Sequence, residues 1–371
     1  MQKKLIALAV AAVAAAPVFA QSNVTIYGQV RVSVDHFDMN NATGDSWGVN
    51  DQASRIGFKG AEDLGNGLKA VWQWESSLNT TNANGVTSGA SASVGAHTQR
   101  NTFLGLAGGF GTVLFGTHDT PYKLGGSADL FGDTAADAQG TAAASGIIGR
   151  NGWDNRLGNV LAYVSPTWSG FHFAVGLVAG ETAADNAAYK DADGLADAQS
   201  YVAVYENGPF KATLGHELVT KELFNSLTGD SDLLVKAKAT KLNLGYKMGA
   251  IGLGYTYESS TAGTTSVSAL AGGGSANIGS LVKDKGQLAS ISYTTGATTF
   301  GLQMGKFDDR GTVTTGDGNS DVNTWTVGAY HGLSKRTTAY IGYHNAKVKD
   351  GIAAGSDLKV KALTMGLNHS F

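Results

Sequence analysis

The chain has 371 residues, with 52 Gly, 4 Pro and no Cys, and only 15% of its residues are charged. Soluble domains carry about 25% charged residues, while a hydrophobic content of 42% excludes an unfolded chain. A formal net charge of −3 gives no basis for nucleic-acid binding, and the lack of cysteine excludes a disulfide scaffold or a thiolate metal site.

Residues 1–20 read as an export signal. Lys3 and Lys4 precede an apolar run from Leu5 to Ala16, and Pro17-Val18-Phe19-Ala20 sets short side chains where a signal peptidase reads them, with cleavage expected after Ala20. The apolar run is shorter than the ~20 residues a spanning helix needs, which disfavours the alternative of an uncleaved anchor. Cleavage removes two of 27 basic residues, so 25 face 30 acidic ones and the mature net charge is −5. No later segment approaches ~18 continuous apolar residues, so no transmembrane helix is expected.

The mature part, 21–371, opens on a strand. In Val24–Asp35 the even positions are Val24, Ile26, Gly28, Val30, Val32 and Val34, and the odd ones Thr25, Tyr27, Gln29, Arg31, Ser33 and Asp35. Side chains of a strand alternate between faces, so this sheet has one apolar and one polar side. Ser54–Lys59 sets Ile56 and Phe58 against Arg55 and Lys59, and Gly67–Ser76 sets Leu68, Ala70, Trp72 and Trp74 against Lys69, Gln73 and Glu75. Phe103–Ala107 and Thr112–Thr117 alternate more raggedly. The pattern returns in Phe171–Gly180, Tyr201–Glu206, Phe210–Glu217, Leu234–Lys247, Ile251–Glu258, Leu288–Thr294, Thr299–Lys306, Asn323–His331, Thr337–Asn345 and Lys361–Phe371.

The strands number about 16, and their connections alternate between short turns, such as 62–67, 107–111 and 246–250, and long polar loops, such as Leu78–Ala96 and Ser259–Asp284. That alternation describes an all-β chain forming a 16-stranded antiparallel transmembrane barrel, closed because lipid cannot satisfy an open sheet edge. A soluble sandwich or solenoid also alternates, with its apolar face as a core. Trp72, Trp74, Tyr163, Trp168, Tyr255, Tyr257, Tyr340 and Tyr343 fall near expected strand ends, as an interfacial girdle would place them. The last strand puts Leu363, Met365, Leu367, His369 and Phe371 on one face.

Asn23–Gly28, Ser54–Ala70 (SRIGFKGAEDLGNGLKA), Gly332–Thr337 and the terminal Asn368-His369-Ser370-Phe371 resemble the Gram-negative general porins, most closely the β-proteobacterial type. The resemblance spans 21–371. It implies a homotrimeric outer-membrane barrel that passes ions and small hydrophilic solutes, a third external loop folded inward as a constriction, and a terminal Phe371 read by the outer-membrane assembly machinery. The stretch from about His118 to Asn155 is long enough for that loop.

A pore does no bond chemistry, so neither catalysis nor a cofactor is expected; its function lies in aperture and lining charge. Parity sends Arg31, Arg55, Lys59, Lys69 and Glu75 to the lumen; Arg100 precedes the fourth strand and Arg156 opens the sixth. Arg55, Arg100, Arg156 and Glu75 match narrow-zone positions of anion-preferring members of the family, whereas Arg31 departs from its pattern by adding a positive charge. On the loop side stand Asp119, Asp129, Asp133 and Asp137. A basic wall facing an acidic loop would give a weakly anion-selective opening; if each arginine instead pairs with a loop carboxylate, selectivity approaches neutrality.

Rival readings are a substrate-specific channel, which would show a lumenal aromatic track, and a barrel adhesin, which would pass no steady current. The expected partners are the bilayer and lipopolysaccharide, small anions and hydrophilic solutes. Gly301–Lys306 is one residue short of a phosphate loop, Asp317–Asp321 lacks the spacing and terminal Glu of a calcium loop, and the eight His show no metal-ligand spacing.

Overall fold

A computed structural model describes residues 24–40, 44–81, 99–139, 146–149, 153–180, 194–220, 237–263, 281–309, 321–353 and 356–371. The expected signal segment, and most of the expected Leu78–Ala96 loop, lie outside the described residues. The strand segments are β1 (Thr25–Met39), β2 (Asp45–Asp51), β3 (Arg55–Gly65), β4 (Leu68–Ser77), β5 (Thr102–Gly108), β6 (Gly111–Asp119), β7 (Arg156–Val164), β8 (Phe171–Val178) and β9 (Ala198–Asn207). They continue with β10 (Phe210–Val219), β11 (Ala237–Met248), β12 (Ile251–Gly263), β13 (Leu281–Thr295), β14 (Thr298–Asp309), β15 (Val322–Gly332), β16 (Thr337–Ala353) and β17 (Ser356–Ser370).

Every ladder is antiparallel between chain neighbours, and β17 returns to pair with β1, so the sheet has no edge. β2 pairs with the upper half of β1, Val32 to Asp38, and β3 with its lower half, Thr25 to Gln29. The two are successive parts of one barrel strand, interrupted at 52–54, where Ala53 turns left-handed at φ 62°. Seventeen segments therefore close a 16-stranded barrel. β2 has no counterpart among the expected strands, and several strands outrun the alternation that announced them: β1 continues to Met39 and β12 to Gly263.

The short connections gather at one end. The 248–251 turn needs a left-handed residue between two tightly paired strands, and Gly249 supplies it at φ 57°. The other end holds the longer connections, and in such barrels short turns face the periplasm and long loops the exterior.

The faces settle what the apolar side is for. Leu104, Phe115, Leu214, Met304 and Leu367 stand more than half exposed on the outside, which a sandwich core would not permit. Inside, Asp35, Glu75, Glu217, Lys241, Glu258 and Gln303 are buried. The apolar face is thus a lipid band and the polar face a lining. Tyr340 is a correction to the expected girdle: it points inward, 6% exposed, with its ring 5.6 Å from that of Tyr330.

After β6 the chain turns inward. Thr120 caps a single turn, α1 (Pro121–Leu124). The loop then follows the inner wall past β9–β17, and the main apolar core forms where it presses on that wall. Ala128, Ile147 and Ile148 pack there with Leu288, Phe307, Val322 and Val360. Small wall residues make the close approach possible: a Cβ on Gly286 would stand 2.0 Å from the Ile147 carbonyl oxygen.

Candidate functional site: an arginine wall facing the inward loop

Polar side chains pin the loop along its whole path. On the way in, the Tyr122 amide donates to Ser200 Oγ at 2.9 Å and its hydroxyl to Glu258 at 2.8 Å. Further on, the Ala128 amide donates to Thr256 Oγ1 at 2.7 Å and the Leu130 amide to Gln303 Oε1 at 2.8 Å. Phe131 stacks on Tyr330 at 5.8 Å. On the way out, the Gly149 amide donates to Glu258 at 2.9 Å, and Asp154 bonds the ammonium of Lys241, a pair almost completely buried. Lys241 also lies 4.3 Å from the centre of the Tyr122 ring. These contacts hold the loop against β9–β16 and leave the opening between its tip and the wall made by β1, β3, β4 and the starts of β5 and β7.

Arg31 stands on β1 and Arg55 opens β3, both beside the 52–54 break, whose Gln52 amide donates to the Arg31 carbonyl. Arg31 spans the opening to the loop tip: its guanidinium donates to Asp133 Oδ2 at 2.7 Å and to the carbonyls of Gly132 and Asp133. Arg100 donates to Glu75 Oε1 at 2.6 Å, while Glu75 Oε2 accepts from the Tyr27 hydroxyl at 2.9 Å. Arg156 bonds Asp119 at 2.9 Å and Asn101 at 2.7 Å, and Lys123 of α1 approaches the same carboxylate at 3.4 Å. Lys59 lies 4.9 Å from the centre of the Tyr27 ring.

Three of the four arginines thus meet a carboxylate, and Arg55 forms no ion pair among the described residues. It stands between Arg31 and Arg100, close enough for both to act on it electrostatically. Lys69 is not brought to this group; it lies opposite Asp63 at the turn end of β4, six positions from Glu75.

The loop acids divide in two. Asp119 and Asp133 neutralise arginines, whereas Asp129 and Asp137 turn to each other and to the loop's own backbone. Asp129 accepts from the amides of Phe131 and Ala138, and Asp137 from those of Gln139 and Asp133. Burial pushes both carboxyls above the ordinary range, and the neighbouring Asp129 charge raises Asp137 further. Beside the tip a passage of about 470 Å³ remains open, lined by Asp51, Gln52, Lys123, Asp133 and Asn155 among others.

Sequence reasoning missed Asn101, Lys123 and the Lys241–Asp154 anchor. Asn101 follows Arg100, and Lys123 lies in the loop already singled out. Lys241 carried a signal too, an inward parity on β11, but its partner is 87 positions away.

The sequence profile described as Gram-negative porin matches residues 7–351. Among curated proteins, the major outer membrane protein P.IB of Neisseria sicca is 30% identical, with both chains covered completely. Outer membrane porin protein 32 of Delftia acidovorans is 28% identical over 97% of this chain and 93% of its own length. Among solved structures, the anion-selective porin from Comamonas acidovorans superposes with a TM-score of 0.67 at 22% identity, covering 95% of this chain and all of that one. The trimer form of OmpT from Vibrio cholerae gives 0.63 at 14% identity, over 94% and 99%. With its closed 16-stranded barrel, apolar belt and charged lumen, this chain belongs to the Gram-negative porin family and forms a channel across the outer membrane.

Proposed function

We propose that the channel passes ions and small hydrophilic solutes with a weak preference for anions. The observation that carries this is the charge balance at the opening. Among the described residues Arg31, Arg100, Arg156 and Lys123 pair with Asp133, Glu75 and Asp119, Arg55 and Lys59 form no ion pair, and burial raises the Asp129 and Asp137 carboxyls, which turn to each other and to loop amides. Asp51 also lines the passage, but it is engaged by the Ser54 amide and by Thr80. Guanidinium stays charged at any ordinary pH, and the excess raises the local anion concentration within a Debye length of about 8–10 Å. The structural relative described as anion-selective supports the same sign.

By the same reading the chain acts as a homotrimer in the outer membrane, in contact with lipopolysaccharide, and does no bond chemistry. Residues 1–20 are removed on export, and the assembly machinery reads Phe371. A trimer form among the structural relatives supports the oligomeric state.

The test is a reversal potential in a salt gradient across a planar bilayer. R55Q and R55Q/R100Q shift it toward cation preference, and R55Q shifts it further than R156Q because Arg156 has Asp119 beside it. An unchanged reversal potential in R55Q/R100Q overturns the assignment.

A further inference from the structure

The loop tip that bounds the opening is tied to itself before it is tied to the barrel. Asp129 accepts from the Phe131 and Ala138 amides, the Thr134 hydroxyl donates to the Phe131 carbonyl at 2.6 Å, and the Asp137 amide donates to the Thr134 carbonyl at 3.1 Å. Cross-tied in this way, the turn over 129–138 is stiff, and what it leans on sets its position. Its rear rests on β14 and β15 through Gln303 and Tyr330. Its leading edge meets Arg31.

The other paired arginines of the wall lie back along it. Arg100 bonds Glu75 of β4, and Arg156 bonds Asp119 at the end of β6 and Asn101 before β5. Among the described residues, Arg31–Asp133 is the one ion pair that joins the wall to the tip.

Both ends of that contact are built for it. At the wall, Arg31 falls between two ladders: the pairing of β1 with β3 stops at Gln29, and that with β2 starts at Val32. The 52–54 break stands in for the missing partner. Ser54 Oγ accepts from the Arg31 amide at 2.9 Å, and the Gln52 amide donates to the Arg31 carbonyl at 2.9 Å, which fixes the root of the side chain. At the tip, Asp133 turns left-handed at φ 56°, a region that residues with a Cβ seldom occupy. There the Asp133 carboxylate and the carbonyls of Gly132 and Asp133 converge on one guanidinium, at 2.7, 3.1 and 3.0 Å. A planar guanidinium fork suits such a set of acceptors, which a point charge on a flexible stem would satisfy less well. Asp133 itself lines the passage.

Resting on the diffusion-pore reading above, we propose that Arg31 sets the size limit of the channel. Its side chain bridges the gap between β1 and the stiff tip, and so fixes the width left to solutes. Its charge is offset by Asp133, so its effect falls on uncharged hydrophilic solutes, which respond to width and not to field. Because the limbs and the rear contacts hold the loop, losing the bridge opens the gap without releasing the tip.

The test measures the polymer exclusion limit of single channels of the full-length protein in a planar bilayer, with neutral polyethylene glycols of graded size on both sides. R31A raises the conductance, with a steady current, and moves the limit to larger polymers. Its reversal potential shifts toward cation preference, and that of D133A toward anion preference. R31A/D133A loses both charges: the limit stays as wide as in R31A, while the reversal potential returns toward the wild type's. R31Q, with a shorter reach, gives an intermediate limit and serves if R31A does not fold.

An unchanged limit in R31A or R31Q overturns the proposal. So does a limit that follows the reversal potential and narrows again in R31A/D133A, which would make the effect one of charge. A wild type that passes no steady current sinks the diffusion-pore reading itself, whereas a conducting wild type with an unchanged limit in R31A sinks only this assignment.

Discussion

At the level of single residues, what matters in the opening is which charges are already spent. Arg31, Arg100 and Arg156 each hold a carboxylate, so their net field on a passing ion is small, and Arg55 stands out by having no ion pair among the described residues. The Asp129–Asp137 pair adds a pH dependence of definite sign. Both carboxyls are raised by burial, so the folded loop binds more protons than the unfolded chain once pH passes the ordinary value of 3.8. Stability then falls as pH rises from there toward the raised values. The pair is faced by Asp133 in the loop, Gln303 on β14 and Tyr330 on β15. Open-channel current noise is therefore expected to grow as pH rises above the ordinary carboxylate range, as the two carboxyls ionise and like charges meet at the loop tip. In D137N the noise stays flat as pH rises; a wild-type slope in the variant would contradict the coupling of the two carboxyls.

At the level of elements, the inward loop is held by its two limbs rather than by its tip. Tyr122 fixes the entering limb and Asp154 the leaving one, and both meet Lys241 of β11. Removing one member of a buried ion pair costs about 3–5 kcal/mol, because the other charge is left unpaired. K241M should therefore lower thermal stability and make the open-channel current fluctuate, as the limb leading to Arg156 loosens. K241M/D154N removes both charges and should recover most of the stability. Equal loss in the single and double variants would show that packing on Tyr122, rather than the ion pair, holds the loop.

For the molecule as a whole, closure decides stability. The last residue completes the barrel: the Gly28 amide donates to the Phe371 carbonyl at 3.2 Å, and the Phe371 amide donates back to Gly28 at 3.1 Å. The Phe371 ring lies over Gly28, where an added Cβ would stand 2.5 Å from both that ring and the Arg55 carbonyl. G28V should thus hinder the closing seam, lowering the fraction of heat-modifiable folded barrel on a gel. F371A should cost about 1–2 kcal/mol, less than the about 3–5 of a core Phe, because Phe371 is 41% exposed. The reverse order would place the sensitive part of the seam elsewhere.

Much of this was legible in the amino-acid order, because the information is local. Alternation with period two in Val24–Asp35 or Lys361–Phe371 assigns each side chain to a face within its own strand, whatever that strand later pairs with. The barrel, its lipid-facing side and the inward direction of Arg31, Arg55, Glu75 and Lys241 follow from it. Local alternation does not show where a strand is interrupted: β2 is separated from β3 only by the turn at 52–54, and the parity of Tyr340 turns it inward, away from an interfacial girdle.

The charge partners were not legible. Arg31 meets Asp133 102 positions away, and Lys241 meets Asp154 across 87. Such pairings depend on the path the loop takes through the lumen, and that path is set by packing on small wall residues such as Gly286 and by hydrogen bonds to Thr256, Glu258 and Gln303. The sequence by itself determined a closed barrel with a basic lining, since each strand carries its own two faces. Only the tertiary structure decided which of those charges stay free to act on an ion, since an ion pair exists only once two distant stretches of chain share the same few ångströms.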